Sequence, residues 1–219
     1  MTFVDDLLRD LSATTVPEAV AVLLALGYIV LAVRRSLWCW PCAFVSVAIY
    51  LVLFAQVGLY MQAGLQLFYL AMAVYGWFEW RRGRTAAGGL AIATRSPRWH
   101  LAVAGLIVGA TLVNGWLLAR GGAATAPYID AFVTWASVAT TWMVARRVLE
   151  NWLYWIVIDV VAAWLYFTQS LTLTGFLFLI YVVIAVRGYV SWRTEHRRAP
   201  DSWRQAGAPV AEATNHGSG

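Results

Sequence analysis

Residues 146–168 read RRVLENWLYWIVIDVVAAWLYFT. From Trp152 to Phe167 every residue is apolar or aromatic except Asp159. A helix rises about 1.5 Å per residue, so this run covers most of a hydrocarbon layer about 30 Å thick. It is too long for an ordinary strand and reads as a membrane-spanning helix with a carboxylate inside it. The same frame occurs earlier. Residues 34–56 read RRSLWCWPCAFVSVAIYLVLFAQ, and an offset of 112 residues lays Arg34-Arg35 on Arg146-Arg147 and Trp40 on Trp152. The register continues without a gap. Leu53, Leu59, Leu65 and Tyr69 fall on Leu165, Leu171, Leu177 and Tyr181, while Gly76, Trp80 and Arg81 fall on Gly188, Trp192 and Arg193. Between 34 and 81 there are 15 identities in 48 positions. Apolar composition alone explains shared Leu and Val. It does not explain Arg-Arg, Trp, Tyr, Gly and Trp-Arg in one register, which mark an internal duplication.

The whole composition agrees with a membrane chain. Of 219 residues, 61% are hydrophobic and only 12% are charged, with a mean hydropathy of +0.66. A soluble domain is nearer a quarter charged. Thirteen Trp and ten Tyr suit membrane interfaces and polar-tipped pockets. All sixteen basic residues are Arg, which we read as genome composition. A pI near 9.5 raises nucleic acid as a partner. The arginines fall in short clusters between apolar spans and form no continuous basic face, so that partner is excluded. The N-terminal MTFVDDLLRDLSATTVPEA is acidic, with no basic leader region or cleavage site. It does not read as a signal peptide, and the first apolar span is expected to serve as the insertion signal.

Seven segments approach the roughly 20 apolar residues that a spanning helix needs. They are 18–33, 41–57, 63–80, 99–118, 130–145, 152–168 and 172–191. The expected organisation is an all-α polytopic membrane protein with seven transmembrane helices. Residues 1–17 form an extracytoplasmic N-terminal segment, 18–80 a first three-helix repeat, 99–118 a linker helix and 128–192 a second three-helix repeat. Residues 193–219, polar with Pro and Gly, read as a disordered cytoplasmic tail. Equivalent helices are four crossings apart and so run in the same direction. This is a 3+1+3 parallel repeat, the SWEET-like architecture of transporters that hold substrate between the halves near the midplane. A bundle duplicated for stability is the alternative.

Arginine placement orients the chain. Arg34 and Arg35, then Arg81, Arg82, Arg84, Arg95 and Arg98, then Arg146 and Arg147, and finally Arg193, Arg197, Arg198 and Arg204 share one side if the chain crosses seven times. The other side holds Arg9 and Arg120 with Asp5, Asp6 and Asp10. The N-terminus is therefore expected outside and the C-terminus in the cytoplasm.

Three stretches carry a resemblance. WFEWRRG (77–83) after GLYMQAGLQLFYLAMAVYG, PYIDAFVTWASVATTWMVARRVLENW (127–152) and ENWLYWIVIDVVAAWLYFTQSLTLTGFLFLIYVVIAVRGYVSW (150–192) resemble the PnuC vitamin transporters. The specific marks are W-x-x-W ending at Trp80, its counterpart Tyr189-x-x-Trp192, and N-W-x-x-W-x-x-x-D ending at Asp159. One departure is LWCWPC at the head of the second span, where that family commonly has an Asn-containing pattern. The resemblance implies a seven-helix homotrimeric carrier in the bacterial inner membrane. Its best-known members take up nicotinamide riboside, and related members are assigned to thiamine or riboflavin. It also implies facilitated diffusion, with a cytosolic kinase trapping the product.

The candidate site residues follow. Asp159 lies eight residues into the sixth span, about 12 Å deep. An ionisable group there costs about 3 kcal/mol on insertion scales and is functional by default. Asn151, Trp155 and Asp159, with Trp152 flanking, share one helix face. Nicotinamide riboside and thiamine both carry a positive ring, and a carboxylate with aromatic faces suits such a cation. The bland reading is a structural pairing of Asp159 with Thr140, Thr141 or Arg187. The polar residues break the repeat: Asp159 corresponds to Val47, and Gln62 and Gln66 to Thr174 and Phe178. That asymmetry suits one asymmetric ligand. Gln66 and Tyr69 share a face, where Gln66 either binds a carboxamide or ribose hydroxyl or bridges helices. Trp77, Trp80, Tyr189 and Trp192 form an inner gate or an interfacial aromatic belt. Asp130 contacts the riboside or caps the fifth helix, and Asn114 lies near the same outer end. Trp135 and Trp142 are stacking surfaces or packing.

Other chemistries are weaker. Cys39 and Cys42 form C-x-x-C, the spacing of a thiol oxidoreductase, but at a side where thiols stay reduced. His100, His196 and His216 form no metal constellation, no phosphate loop is present, and no cofactor or catalytic residue is expected. The expected function is facilitated, alternating-access transport of nicotinamide riboside, an NAD precursor, with thiamine or riboflavin as alternatives. The expected partners are that solute, the bilayer and two further copies of the chain.

Overall fold

The computed structural model describes residues 15–58, 60–84, 90–121, 126–168 and 172–198. They form seven α-helices: α1 Val16–Val33, α2 Cys39–Gln56, α3 Tyr60–Arg82, α4 Pro97–Gly121, α5 Pro127–Ala145, α6 Asn151–Thr168 and α7 Thr172–Arg198. Among the described residues the β pairing is limited to two isolated bridges. Five helices, α1, α2, α4, α6 and α7, are long and apolar enough to cross a membrane. The other two are diluted by polar residues. Gln62, Gln66 and Glu79 lie in α3; Asp130, Thr134, Ser137, Thr140 and Thr141 lie in α5.

The helices fall where the spans were expected, with ends shifted by local chemistry. Thr15 opens α1 by accepting a hydrogen bond from the Glu18 amide (3.4 Å), with Pro17 in the first turn. Residues 16 and 17, expected in the N-terminal segment, are thus helical. At the other end α7 runs on to Arg198 instead of stopping at Trp192. The expected extracytoplasmic stretch 1–14 and tail 199–219 lie outside the described residues.

Local structure repeats with the sequence. The ends of α1 and α5, both ends of α2 and α6, and the starts of α3 and α7 are each 112 residues apart. Arg35 (φ 58°) and Arg147 (φ 60°) are the two non-glycine residues with positive φ among those described. Each closes a Schellman motif. Ser36 and Arg35 amides donate to Leu31 and Ala32 carbonyls at 2.9 and 3.0 Å; Val148 and Arg147 amides donate to Met143 and Val144 at 3.0 and 2.9 Å. The left-handed residue lets the chain turn sharply while satisfying the last carbonyls of the helix.

The described chain forms two compact units, Met1–Arg81 and Arg82–Gly219. In the first, α1 and α2 pack together, and the buried Ser46 hydroxyl donates to the Ala21 carbonyl at 2.7 Å. Trp40 of α2 lies tilted against Tyr28 of α1 (6.0 Å) and edge-to-face with Trp80 of α3 (5.5 Å, 89°). A Cβ on Gly76 would lie 2.3 Å from the Trp40 ring, so only glycine lets α3 approach that indole.

In the second unit α4 packs on α5, α5 on α6, and α6 on α7. Ile107, Ala136 and Ile158 form a core joining α4, α5 and α6, with Phe132, Tyr154 and Trp155 packed around it. Trp152 repeats the role of Trp40. It meets Trp192 edge-to-face (5.6 Å, 81°), and a Cβ on Gly188 would come within 2.5 Å of it. A short strap crosses one end of this unit. Ala93 pairs with Val148: its amide donates to Arg147 O (3.0 Å) and its carbonyl accepts from Leu149 N (2.8 Å). The His196 ring bonds Ile92 O at 3.0 Å. Leu90, Ile92, Ala93, Val148 and Leu149 are all buried there.

Candidate functional site

The α6 helix owes its burial to one face. Asn151, Trp152, Ile158, Asp159, Ala162, Ala163 and Leu165 are buried, whereas Leu153, Val157, Val160 and Trp164 are exposed. Asp159 is 5% exposed and has no hydrogen bond or ion pair with a described residue. None of the structural pairings open to it in sequence forms. Thr140 donates its hydroxyl to Ala136 O in its own helix (2.7 Å). Thr141 is buried but makes no bond to Asp159, and Arg187 is exposed. Small side chains, Ala162 and Ala163, follow the carboxylate one turn on. Two turns on, Tyr166 stacks on Phe178 of α7 (5.2 Å, 25°), which meets Tyr181 edge-to-face (5.6 Å, 84°). A buried carboxylate, two alanines and an aromatic trio thus follow one another along the α6–α7 pair, spaced over about 10 Å. Sequence reasoning did not assign Tyr166, Phe178 or Tyr181 to the site. The available signal was the i, i+7 spacing of Asp159 and Tyr166.

The other residues of that face divide among different tasks. Asn151 is fully buried, and its Nδ2 donates to Val148 O at 2.6 Å, pinning the turn before α6; its Oδ1 has no partner among the described residues. Trp152 is the packing indole against Gly188 and Trp192. Trp155 packs around the α4–α5–α6 core. Each of these three thus has a hydrogen-bond or packing partner of its own on that face.

Asp130 is half-buried in the first turn of α5, but the N-cap is Ala126 and no side chain caps that end. The capping role expected for Asp130 is corrected: Pro127 occupies the first helical position and moves the cap upstream. Asn114 is half-buried on α4. Trp142 is 38% exposed and stacks on Trp99 (6.0 Å, 20°), while Trp135 is also exposed. Tyr189 is half-buried with the Arg193 guanidinium 5.8 Å over its ring. Trp192 is fully buried.

In the first unit Gln62 is exposed and Gln66 half-buried. Tyr69 is half-buried and edge-on to Phe68 (5.4 Å, 64°). Trp77 is half-buried against the exposed Trp38 (6.2 Å, 69°). Trp80 is 1% exposed beneath Trp40. Of the four aromatic residues expected at a gate, Trp80 and Trp192 are thus packing residues of their own units, and Trp77 and Tyr189 are the accessible pair. Both thiols are free, and Cys39 is fully buried, which leaves it out of reach for exchange. No group of three His, Cys, Asp or Glu among the described residues is placed to hold a metal ion.

Residues 15–194 match the family model described as nicotinamide mononucleotide transporter. The riboflavin/roseoflavin transporter RibM of Streptomyces davaonensis is 31% identical over 180 residues, 80% of this chain and 81% of that one. The nicotinamide riboside transporter PnuC of Escherichia coli is 26% identical over 202 residues, 80% of this chain and 84% of that one. The crystal structure of a vitamin B3 transporter PnuC shares the fold, with a TM-score of 0.61 at 20% identity, covering 83% of this chain and 82% of that chain. With the duplicated helix frame and the match over nearly all of its apolar length, the chain belongs to the PnuC family of vitamin transporters, multi-pass proteins of the bacterial inner membrane.

Proposed function

We propose that the chain carries nicotinamide riboside across the inner membrane by facilitated diffusion, exposing one membrane-embedded site to each side in turn. The observation that carries this reading is the buried Asp159 carboxylate without a partner among the described residues. A fixed ring cation supplies the counter-charge that the fold does not, and the Tyr166–Phe178–Tyr181 rings offer it flat and edge contacts. Gln62, Gln66, Tyr69, Asp130, Asn151, Trp152, Trp155 and Trp142 stay in the proposal as polar or aromatic contributors, with Asp159 first. Trp77 of the first unit and Tyr189 of the second are each proposed as inner-gate residues, one turn before the buried Trp80 and Trp192 of the same helices. The parallel 3+1+3 disposition, the cytoplasmic C-terminus and the homotrimer belong to the same proposal.

Riboflavin is the second reading, favoured by the higher identity to RibM. A neutral flavin uses the aromatic trio and leaves Asp159 without a counter-charge. The test is titration of tryptophan fluorescence of the purified chain with nicotinamide riboside, thiamine and riboflavin, for wild type and Asp159→Asn. Saturable riboside binding that weakens in the variant supports the first reading. Tight riboflavin binding unchanged by the variant moves the function to the second. Tight thiamine binding without a riboside response keeps the carboxylate's role and replaces the solute.

A further inference from the structure

Tyr28 lies on α1, seven residues before the left-handed Arg35, about 10 Å into the span. Its ring is half-buried and tilted against Trp40 at 6.0 Å. Its hydroxyl makes no hydrogen bond with a described residue, although a phenol in an apolar setting normally finds a partner. The internal repeat separates packing from ligand here. The position equivalent to Tyr28 is Thr140, whose hydroxyl donates to Ala136 O of its own helix at 2.7 Å. A threonine hydroxyl reaches back one turn along its helix, whereas a phenol carries its oxygen beyond that reach. The Tyr28 hydroxyl therefore needs a partner from outside α1. The neighbouring Trp40 also has an unpartnered donor, its buried Nε1, but so does its mate Trp152. An orphan that recurs in both units belongs to their shared packing. The orphan at Tyr28 has no such counterpart.

The surroundings within the first unit suit a polar ligand. The α3 helix meets the α1–α2 pair through indoles, Trp77 on Trp38 and both Gly76 and Trp80 on Trp40. Tyr69 of α3 is within electrostatic reach of Tyr28. Its hydroxyl is equally without a hydrogen bond to a described residue. Both phenols are half-buried, so a solute in the unit can reach them. The Ser46 hydroxyl of α2 is already committed to Ala21 O at 2.7 Å. We propose that Tyr28, together with Tyr69, binds hydroxyls on the sugar portion of the carried solute. That portion is the ribose of nicotinamide riboside or the ribityl chain of riboflavin. The inference rests on the vitamin-carrier reading above and adds a hydroxyl-binding subsite to it. A phenol both donates and accepts, as a sugar hydroxyl does, so the two pair in either sense. A site built to hydrogen-bond a hydroxyl rejects an analogue that lacks it far better than an apolar pocket would.

The experiment titrates the purified full chain with two pairs of probes that share a ring and differ in the sugar. One pair is nicotinamide riboside and 1-methylnicotinamide; the other is riboflavin and lumiflavin. Wild type, Tyr28→Phe and Asp159→Asn are compared. Phenylalanine keeps the ring against Trp40, so the thermal midpoint of Tyr28→Phe is expected to be unchanged. Its affinity for the sugar-bearing solute that wild type binds is expected to fall about tenfold. Affinity for the matching sugar-free analogue should stay at the wild-type value. Where wild type binds that analogue too weakly to titrate, the loss is read on the solute alone. Undiminished affinity for the solute overturns the proposal, and so does an equal loss for solute and analogue. Binding of thiamine alone by wild type also overturns it, because thiamine carries no sugar. Wild type that binds none of these solutes overturns the carrier reading and the subsite with it. Discrimination by Tyr28→Phe beside unchanged riboside binding in Asp159→Asn keeps the subsite and removes the carboxylate's role, which separates the two claims.

Discussion

At mid-membrane an ionised carboxylate costs about 3 kcal/mol on insertion scales, and no described side chain around Asp159 donates to it. A residue kept for structure would lose stability when its charge is removed; one kept for a ligand would not. Asp159→Asn is therefore expected to leave the thermal midpoint unchanged or raised by an amount worth about 1 kcal/mol. Riboside binding should weaken about tenfold, or ~1.4 kcal/mol. Melting and titration of the same preparation read both, and a fall in the melting midpoint with unchanged affinity would return Asp159 to a structural role. The rings two turns away make a separate prediction. Tyr166→Leu removes the partner stacked on Phe178 and is expected to weaken riboside and riboflavin binding alike by about threefold to tenfold. Affinities equal to wild type for both solutes would remove the trio from the site. The carboxylate was legible because a charge inside an apolar run stands out. The departure of Asn151 to Val148 O was not, because spacing along a helix gives a shared face and says nothing of how far a short amide reaches.

At the scale of the element, the same device occurs in each unit: an indole from one helix pressed onto a glycine of another. Gly76 faces Trp40, and Gly188 faces Trp152. A methyl group at either glycine has no room, since the added Cβ would lie 2.3 or 2.5 Å from ring carbons. Overpacking of this kind costs about 1–3 kcal/mol. Gly76→Ala and Gly188→Ala are each expected to lower the thermal midpoint. Trp152→Leu combined with Gly188→Ala should cost less than the sum of the two single changes, because losing the indole removes what the new methyl collides with. Strict additivity in unfolding measurements would show that the contact is not the cause. Gly, Trp and the arginine pair were visible as repeated letters. The contact between Gly188 and Trp152, and the left-handed Arg35 and Arg147, were not, since Arg carries no turn signal of its own. The strap at 90–93 was missed for another reason: a few apolar residues in an arginine-rich connection have no period to read.

For the whole molecule, the arginines make the sharpest expectation. Those at Arg34–Arg35, between α3 and α4, at Arg146–Arg147 and beyond Trp192 alternate with ends nearly free of basic residues. On the opposite ends Arg120 lies 3.7 Å from the Trp116 ring centroid, its charge spread over an aromatic face. With seven crossings every arginine-rich end is on one side, and positive charge is retained in the cytoplasm. That pattern was legible because insertion reads charge at helix ends and not tertiary contacts. Two of the helices it requires, α3 and α5, fall outside the five that length and composition alone assign to the membrane, so the orientation tests them as well. A phosphatase reporter joined after Arg204 is expected to be inactive, and one joined between α4 and α5 active; a fluorescent protein joined after Arg204 should be bright. An active phosphatase at both places would mean that the two junctions lie on one side, with an even number of crossings among α5, α6 and α7 between them. That result would remove α5, the one of these three outside the apolar set, as a crossing and, with it, the parallel relation between the repeated helices.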